Sequence, residues 1–327
     1  MAAGQISFGF TLPQRGVFFG IASWPEMLKL AQDAERSGAF DSIWVGDSVM
    51  AKPRPESIAL LGALSSATER MKLGVGCMAS FPIRDPIVFA LQWATLDLIS
   101  NGRMWLAACT GIVAGGLSAR EGGVWDIRDG QRGNRMAENI EICRRLWSED
   151  NVSFKGKYRS FDGVTITPQP IQKPCPIWIA ANPAPMAADA PMRRVAKLAD
   201  GWMTVQMFPK MFAANWAHLS TALRAEGRDP ASFGNIEYHN ININPDRDAA
   251  LAESKRFLDE YYGPVFAPEM VATWTAAGTP EQCAEHLRDL ANDGAKAITL
   301  RITSWDQKGQ LQRLVNEVLP RVNARVS

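Results

Sequence analysis

The sequence predicts an α/β fold in which eight parallel strands close into a barrel, and three observations support this. Eight short apolar runs alternate with amphipathic stretches along the 327 residues. Most runs lack polar/apolar alternation, as expected of strands that are covered on both faces. No shift in composition divides the chain, so residues 1–327 are expected to form one domain of the (β/α)8 TIM-barrel class. The predicted strands are 6–12, 42–47, 72–77, 103–109, 176–181, 201–206, 236–243 and 297–302.

Helix start signals lie between several of these strands. Ser23 and Glu26 have the spacing of a capping box. Asp85-Pro86 combines a capping side chain with a proline at the first helical position, and Thr279-Pro280 repeats that arrangement. Helices are therefore predicted to begin just after these signals. Further helices are predicted at about 55–68, 131–148, 191–199, 209–226, 248–262 and 309–323.

Three long connections predict functional loops. Residues 110–130 follow the fourth strand, 149–175 follow its helix, and 263–279 follow the seventh helix. Long connections in a compact domain are usually lids or binding loops. In a parallel barrel, the loops that follow the strands surround the active site. We therefore predict insertions after strands 4 and 7, and we expect 110–130 and 263–279 to set specificity.

Composition argues against several classes of protein. A net charge of +1 gives no reason to expect a nucleic-acid partner. No apolar run approaches the ~20 residues that a membrane span needs, and residues 1–10 lack a secretory pattern. Five scattered cysteines without a CxxC pair, together with only three histidines, argue against a metal site. We therefore expect a cytoplasmic protein with reduced thiols and a small-molecule substrate.

The predicted strand ends supply candidate catalytic residues. Asp47 follows the second strand, where a carboxylate accepts a hydrogen bond from a ligand or caps a turn. Cys109 ends the fourth strand and lies close to no histidine in sequence, so it is a cofactor neighbour or a small buried hydrophobe rather than an activated nucleophile. His239 lies in the seventh strand, on the face opposite Tyr238 by strand alternation. Two interpretations of His239 are open: it takes part in catalysis, or it is a buried histidine of the core.

Two segments are candidates for ligand binding. Gly74 and Gly76 allow close approach of a flat ligand or mark a bulge, and no dinucleotide-binding fingerprint surrounds them. Residues 181–194 run from the fifth strand into a helix that Asp189 could cap, with two arginines nearby. A helix start with adjacent arginines binds phosphate, but an ordinary proline-rich loop has the same appearance.

Eight segments of the chain stand in a characteristic order and spacing. They are FGFTLP (8–13), AERSGAFDSIWVGD (34–47), KLGVGC with RDP (72–86), ATLDLISNGR (94–103), LWSEDNVSFKGKY (146–158), PQPIQKPCPIWIAAN (168–182), AKLADGWM (196–203) and GTPEQCAEHLRDL (278–290). Together they resemble the bacterial luciferase-like monooxygenase family of flavin- and F420-dependent oxidoreductases. The resemblance covers nearly the whole chain and implies a TIM barrel, usually a homodimer, with FMN or deazaflavin F420 across the strand ends.

The resemblance also implies cofactor contacts. F420-type members carry a bulge with a non-proline cis peptide on the third strand, at the position of Gly76-Cys77. The ring would contact the ends of the third and fourth strands, and the phosphate end of the cofactor would approach the end of the fifth. The implied cofactor-binding residues are Gly76, Cys77, Cys109, Thr110, Ala181, Asn182 and Ala184.

Departures from the family pattern favour FMN over F420. Ser48 stands where many members have histidine, and Ile112 stands where F420-dependent sugar-phosphate dehydrogenases have glutamate. Cys109 matches the cysteine that lies beside the flavin in bacterial luciferase. The prediction is a monooxygenase that uses O2 and reduced FMN from a separate flavin reductase, with Asp47, Ser48 and His239 around a small organic substrate. The alternatives are an F420-dependent hydride-transfer oxidoreductase and a non-catalytic flavin-binding barrel.

Overall fold

A closed parallel barrel forms the centre of the molecule. The computed structural model describes residues 6–111, 116–182 and 189–323. Eight strands pair in parallel in the order β1-β2-β3-β4-β7-β8-β9-β11, and β11 closes the barrel by pairing with β1. All eight predicted strands are barrel strands. In chain order the strands are β1 Ser7–Thr11, β2 Ser42–Val45, β3 Lys72–Met78, β4 Met104–Ala108, β5 Val152–Lys155, β6 Ser160–Val164, β7 Ile177–Ala180, β8 Gly201–Thr204, β9 Gly234–Ile243, β10 Thr275–Gly278 and β11 Ala297–Ile302.

Helices connect the barrel strands, and every predicted helix is present. The signals at Ser23, Asp85 and Thr279 each precede a helix, and the Asp85 and Thr279 side chains accept hydrogen bonds from the first turn. No helix in the described ranges is long and apolar enough to cross a membrane. The helices are α1 Trp24–Arg36, α2 Ser57–Ala67, α3 Pro86–Ile99, α4 Leu117–Gly123, α5 Asp129–Leu146, α6 Asp189–Leu198, α7 Met211–Ala225, α8 Arg247–Tyr262, α9 Pro268–Thr273, α10 Pro280–Asn292, α11 Gln307–Arg313 and α12 Leu319–Asn323, with 3-10 turns at Gln14–Phe18 and Phe81–Ile83 and a π turn at Leu314–Val318.

The three long connections contain short elements that the sequence patterns did not predict. The first holds α4, the second holds the antiparallel hairpin β5-β6, and the third holds α9 and β10. β10 pairs with the upper half of β9, from Asn240 to Ile243. These elements are one or two turns of helix or four to five residues of strand. Such short elements show too little periodicity to be recognised in a sequence.

Aromatic side chains fill the barrel interior. Trp44, Trp178, Met203 and Ile236 are buried there together, and Trp105 stacks on Trp178 at 5.3 Å between ring centroids. Trp44 and Trp178 are therefore core residues of the barrel. These side chains fill the interior of the barrel below the carboxyl ends of the strands.

Glycines make room for these rings. A Cβ at Gly74 would collide with the indole of Trp44, and a Cβ at Gly76 would lie 2.9 Å from both Trp44 and Met203. The lack of a side chain at Gly74 therefore leaves room for the indole of Trp44 and not for a ligand. The bulge alternative is also correct, since the pairing of β3 with β4 shifts between Gly76 and Met78.

Candidate functional site

The ends of β3 and β4 bring two thiols together. The Gly76-Cys77 peptide is cis, at the position that the resemblance indicated. Cys77 is half-buried and Cys109 is buried. A hydrogen bond with Cys77, together with burial, raises the pKa of Cys109 well above its ordinary value. Cys109 is therefore a neutral thiol, in agreement with the expectation that it is not an activated nucleophile.

A buried arginine holds the β3 and β4 ends together. Arg132, on α5, donates to the carbonyl oxygen of Thr110 at 2.5 Å and to that of Ala79 at 2.7 Å. Thr110 itself is half-buried at the mouth. The sequence does not reveal Arg132, because an arginine in the first turns of a polar helix is ordinarily solvent-exposed.

Asn182 joins the ends of β7 and β8. Its Oδ1 accepts hydrogen bonds from the hydroxyl of Thr204 at 2.7 Å and from the amide of Val205 at 3.1 Å. Ala181 is half-buried beside it. Ala184 and Ile112 lie outside the described residues, so the predicted phosphate contact at 184 stays a prediction.

The structure anchors Asp47 between three segments instead of leaving it free for a ligand. Its carboxylate accepts hydrogen bonds from the hydroxyl of Ser57 and the amide of Ser80, both at 2.7 Å. Arg84 adds an ion pair at 3.3 Å. With these partners, Asp47 ties the loop after β2 to α2 and to the loop after β3.

Ser48 is likewise engaged by the protein. Its hydroxyl lies 3.2 Å from Glu121 Oε2 and accepts a hydrogen bond from the amide of Lys52 at 2.9 Å. Glu121, on α4, is buried and also accepts the amide hydrogens of Val49 and Ala51. The site prediction missed Glu121, whose helix lies within the connection 110–130. Ser48 therefore positions the loop at 48–52.

His239 does not reach the mouth of the barrel. Its Nδ1 lies 3.3 Å from Glu237 Oε1, and its Nε2 lies 3.0 Å from Nε2 of His286 on α10. The side chain is fully buried, and burial and His286 lower its pKa well below the ordinary value. Because side chains alternate along a strand, His239 points outward to the helices while Tyr238 points inward. The proposed contact of His239 with substrate is therefore wrong, and its core-histidine alternative is correct.

The structure also brings together a cluster of cationic and phenolic side chains, which we call the cation pocket. It lies at the mouth, where the loops after β1 and β2 meet β9, β11 and the end of α8. Three of the four tyrosines of the chain converge there. No sequence signal reveals the cluster, because its members come from five separate segments. The cation pocket consists of Arg15, Lys52, Arg54, Arg301, Tyr238, Tyr261 and Tyr262.

Arg301 is the buried centre of the cation pocket. Its Nε and Nη2 donate to Asn240 Oδ1 at 2.9 and 2.7 Å, and its Nη1 donates to the hydroxyl of Tyr262. The guanidinium carbon lies 4.9–5.3 Å from the centroids of four rings. Burial favours loss of the proton, but the surrounding phenols outweigh it and raise the pKa of Arg301. The side chain is therefore a permanent positive charge.

Lys52 and Tyr262 are the titratable pair nearest the opening. The Nζ of Lys52 lies 4.4 Å from the ring centroid of Tyr262. Burial lowers the pKa of Lys52. Burial alone would raise the pKa of Tyr262, but Arg301, Arg54 and Lys52 outweigh it and lower that pKa to about 8. Both groups can therefore exchange protons closer to neutral pH than they would in water.

The fold and the site together define a class of protein, a barrel with a polar site at the carboxyl ends of its strands. The chain belongs to the luciferase-like monooxygenase family, whose model matches residues 7–297. The resemblance is thereby confirmed, and the protein is a luciferase-like oxidoreductase. In the described part of the chain, no group of three or more His, Cys, Asp or Glu side chains could hold a metal ion.

Known proteins are similar to this chain over nearly its whole length. An F420-dependent glucose-6-phosphate dehydrogenase of Nakamurella multipartita is 26% identical, and the match covers 92% of this chain and 93% of that protein. An F420-dependent secondary alcohol dehydrogenase, solved with an F420-acetone adduct, has a TM-score of 0.81 at 18% identity and covers 98% of this chain and 100% of its own. The monooxygenase RslO1 of Streptomyces bottropensis has a TM-score of 0.77 at 21% identity, over 96% and 99% of the two chains.

Proposed function

We propose that the protein is an F420-dependent oxidoreductase that transfers a hydride between the deazaflavin and a small organic substrate. The observation that carries the proposal is the match, over nine-tenths of both chains, to an F420-dependent dehydrogenase. This reverses the preference for FMN that the sequence suggested. That preference depended on Ser48, Ile112 and Cys109, three positions within a family that uses both cofactors.

The residues at the ends of β3, β4 and β7 fit a planar ring. Cys77, Thr110 and Ala181 are small, uncharged and half-buried, and they stand on three consecutive strands of the barrel. Beneath them the interior is closed by Trp44 and Met203. A deazaflavin would supply the hydride chemistry there, and the protein would orient it and exclude water.

Proton transfer needs a group other than the family's histidine. Position 48 is serine, and its hydroxyl is engaged with Glu121. Oxidation of an alcohol to a carbonyl releases a proton from the substrate oxygen, which requires an acceptor near the ring. Tyr262, with its pKa lowered to about 8 by Arg301, Arg54 and Lys52, is suited to exchange that proton. Glucose 6-phosphate is not proposed as the substrate, because Ser48 stands where many family members have histidine and Ile112 stands where F420-dependent sugar-phosphate dehydrogenases have glutamate.

A monooxygenase that uses reduced FMN and a flavin reductase is the second candidate. The neutral, buried Cys109 beside Cys77 favours it, because the resemblance places a cysteine there next to the flavin. A homodimer is proposed for either function, on the family resemblance.

A cofactor titration tests these proposals. Fluorescence quenching is measured with F420, with oxidised FMN and with reduced FMN under argon. Saturable binding of F420 supports hydride transfer, tight binding of FMN alone overturns it in favour of the monooxygenase, and no binding at all favours a non-catalytic barrel. Cys109→Trp is expected to abolish binding by filling the ring site, whereas Cys109→Ala keeps the space and is expected to bind as the wild type does.

A further inference from the structure

We propose that the cation pocket binds an anionic oxygen group of the substrate, a carboxylate or a phosphate ester. The inference deepens the proposed function, on which it rests in taking the barrel mouth as the substrate site. It assigns the substrate to the class of small organic acids or phosphate esters.

The pocket holds four cationic side chains without a carboxylate. Within residues 6–111, 116–182 and 189–323, no ion pair forms at Arg15, Lys52, Arg54 or Arg301, although fourteen others are present. Buried charges are normally paired or fully hydrogen-bonded. Four neighbouring positive charges without a carboxylate partner therefore indicate that the compensating negative charge comes from a ligand.

The buried Arg103 provides a comparison within the same chain. Its guanidinium also lacks a carboxylate, but it donates five hydrogen bonds to carbonyl and hydroxyl oxygens around it. In the cation pocket, by contrast, Lys52 Nζ lies over the ring of Tyr262 and makes no hydrogen bond to the described residues. Arg15 donates from Nη1 to the carbonyl oxygen of Tyr261, but its Nε is buried without a hydrogen-bond partner in the described part of the chain. The donors of Arg103 are saturated, whereas those of the pocket are not.

Three side chains could donate to a bound anion. Lys52 is 9% exposed, and its Nζ lies over the ring of Tyr262. Arg54 is fixed beside it, because its Nε donates to the Lys52 carbonyl at 3.2 Å and its guanidinium packs over Gly46, where any Cβ would collide. Arg15 is the third donor. Ammonium and guanidinium groups together are suited to the several acceptor oxygens of a carboxylate or phosphate.

Arg301 and the tyrosines form the wall behind these donors. The guanidinium of Arg301 is already occupied by Asn240 and Tyr262, so it acts through its charge and not as a ligand. The positive field also affects Arg15, whose pKa is lowered by burial and by Arg54. An anion in the pocket would relieve this mutual repulsion, which supplies part of the binding free energy.

The position of the pocket makes it a substrate site and not the site for the cofactor phosphate. Its members come from the loops after β1 and β2, from β9 and β11, and from α8. The predicted cofactor contacts lie at the ends of β3, β4 and β7. Because β2 pairs with β3, the cation pocket and the predicted cofactor site are neighbours at these two strands. There Cys77 is close enough to Lys52 to act on its pKa. An anion held at Lys52 would thus place the rest of the substrate over the ring.

Anion binding to the full chain without added cofactor tests the inference. Isothermal titration and thermal shift are measured with inorganic phosphate, acetate and succinate, with KCl holding the ionic strength constant. Saturable binding is expected in the wild type. Lys52→Gln and Arg54→Gln are each expected to weaken it about tenfold or more, the equivalent of one charge-assisted hydrogen bond. Lys308→Gln, which removes an exposed charge on α11, is the matched control and is expected to leave the affinity unchanged.

Titrations with the three anions and with F420 distinguish the class of substrate and separate failure of the inference from failure of the proposed function. Preference for phosphate assigns phosphate esters, and preference for acetate or succinate assigns organic acids. Absence of saturable binding, or equal affinities in Lys52→Gln, Arg54→Gln and Lys308→Gln, overturns the inference. F420 titrated into the same variants is expected to bind as in the wild type. Failure of the wild type to bind F420 would count against the proposed function alone. F420 binding that is present in the wild type and lost in Lys52→Gln or Arg54→Gln would make the pocket part of the cofactor site and would overturn the inference. If Lys52→Gln does not fold by circular dichroism, Arg54→Gln decides.

Discussion

Replacing Arg301 by methionine is expected to move the pKa of Tyr262 from about 8 to its ordinary value or above. Arg301 is the cation with the largest lowering effect, and its Nη1 also donates to the phenolic oxygen. The shift from 10 to about 8 corresponds to about 3 kcal/mol in favour of the phenolate, against the opposing effect of burial. Without Arg301, burial opposes the phenolate with only Arg54 and Lys52 left to stabilise it.

Absorbance at 295 nm during a pH titration reports phenolate formation directly. Burial raises the pKa values of Tyr238 and Tyr261, so the wild type is expected to show a separate step of one tyrosine near pH 8. Tyr262→Phe should remove that step and thereby assign it. Arg301→Met should shift it upward, while Arg145→Met, which removes a guanidinium paired with Glu149, should leave it in place.

Stability provides a second measurement of the same interaction. The folded pKa of Tyr262 lies below the unfolded one, so its contribution appears as pH rises from about 8 to 10 and is absent at lower pH. Arg301→Met should lose this gain and should cost about 1–3 kcal/mol at neutral pH, because the buried Asn240 Oδ1 loses both of its donors. A tyrosine step that stays near pH 8 in Arg301→Met would refute the reasoning.

Three further predictions concern the barrel and its thiols. Gly74→Ala should lower the free energy of unfolding, measured in urea, by about 3 kcal/mol, because its Cβ would collide with the Trp44 indole. Gly62→Ala in α2 is the control: its Cβ meets nothing closer than 3.8 Å, and it should raise the free energy of unfolding by about 0.5–1 kcal/mol. Equal effects of the two substitutions would contradict the packing. Burial lowers the pKa values of His239 and His286, so the unfolded state binds more protons below about pH 6.5 and stability falls with pH there. Replacing both histidines by asparagine should reduce the slope of the free energy of unfolding against pH, below about pH 6.5, by up to about 3 kcal/mol per pH unit. The slope is measured by urea titrations at several pH values, and an unchanged slope would be inconsistent with neutral buried histidines. One thiol, Cys77, should react quickly with a disulfide reagent in the native protein, and Cys77→Ala should remove the fast phase; a fast phase that persists would assign the reactive thiol elsewhere.

Much of the scaffold follows from local patterns. The eight apolar runs became the eight barrel strands, because strands covered on both faces must be continuously apolar. Ser23, Asp85 and Thr279 marked helix starts, because a capping side chain acts within one turn of itself. Short elements such as α4, the β5-β6 hairpin and β10 were missed, because their stability depends on neighbours that are distant in sequence.

The candidate site was only partly predictable. The apolar runs placed Gly76-Cys77, Cys109 and Thr110 correctly at the strand ends, whereas their contact with a cofactor, which the resemblance implies, stays a prediction. Asp47 and Ser48 are at the mouth as well, but their hydrogen-bonding capacity is used by Ser57, Ser80 and Glu121, which no spacing in the sequence indicates. Strand alternation correctly placed His239 on the face opposite Tyr238, although it does not say which of the two faces is the interior.

The sequence by itself determined the barrel, the family and the strand ends at which a cofactor site is expected. These depend on periodicity, on capping residues and on ordered motifs, all of which are local in the chain. Only the tertiary structure decided which charges meet. Arg15 and Arg301 lie nearly 300 residues apart in sequence, with Lys52 and Arg54 between them, and the four form one pocket because β11 closes onto β1. Electrostatic energy depends on distance in space and not along the chain, so the substrate-binding pocket that we propose became visible only when the barrel closed.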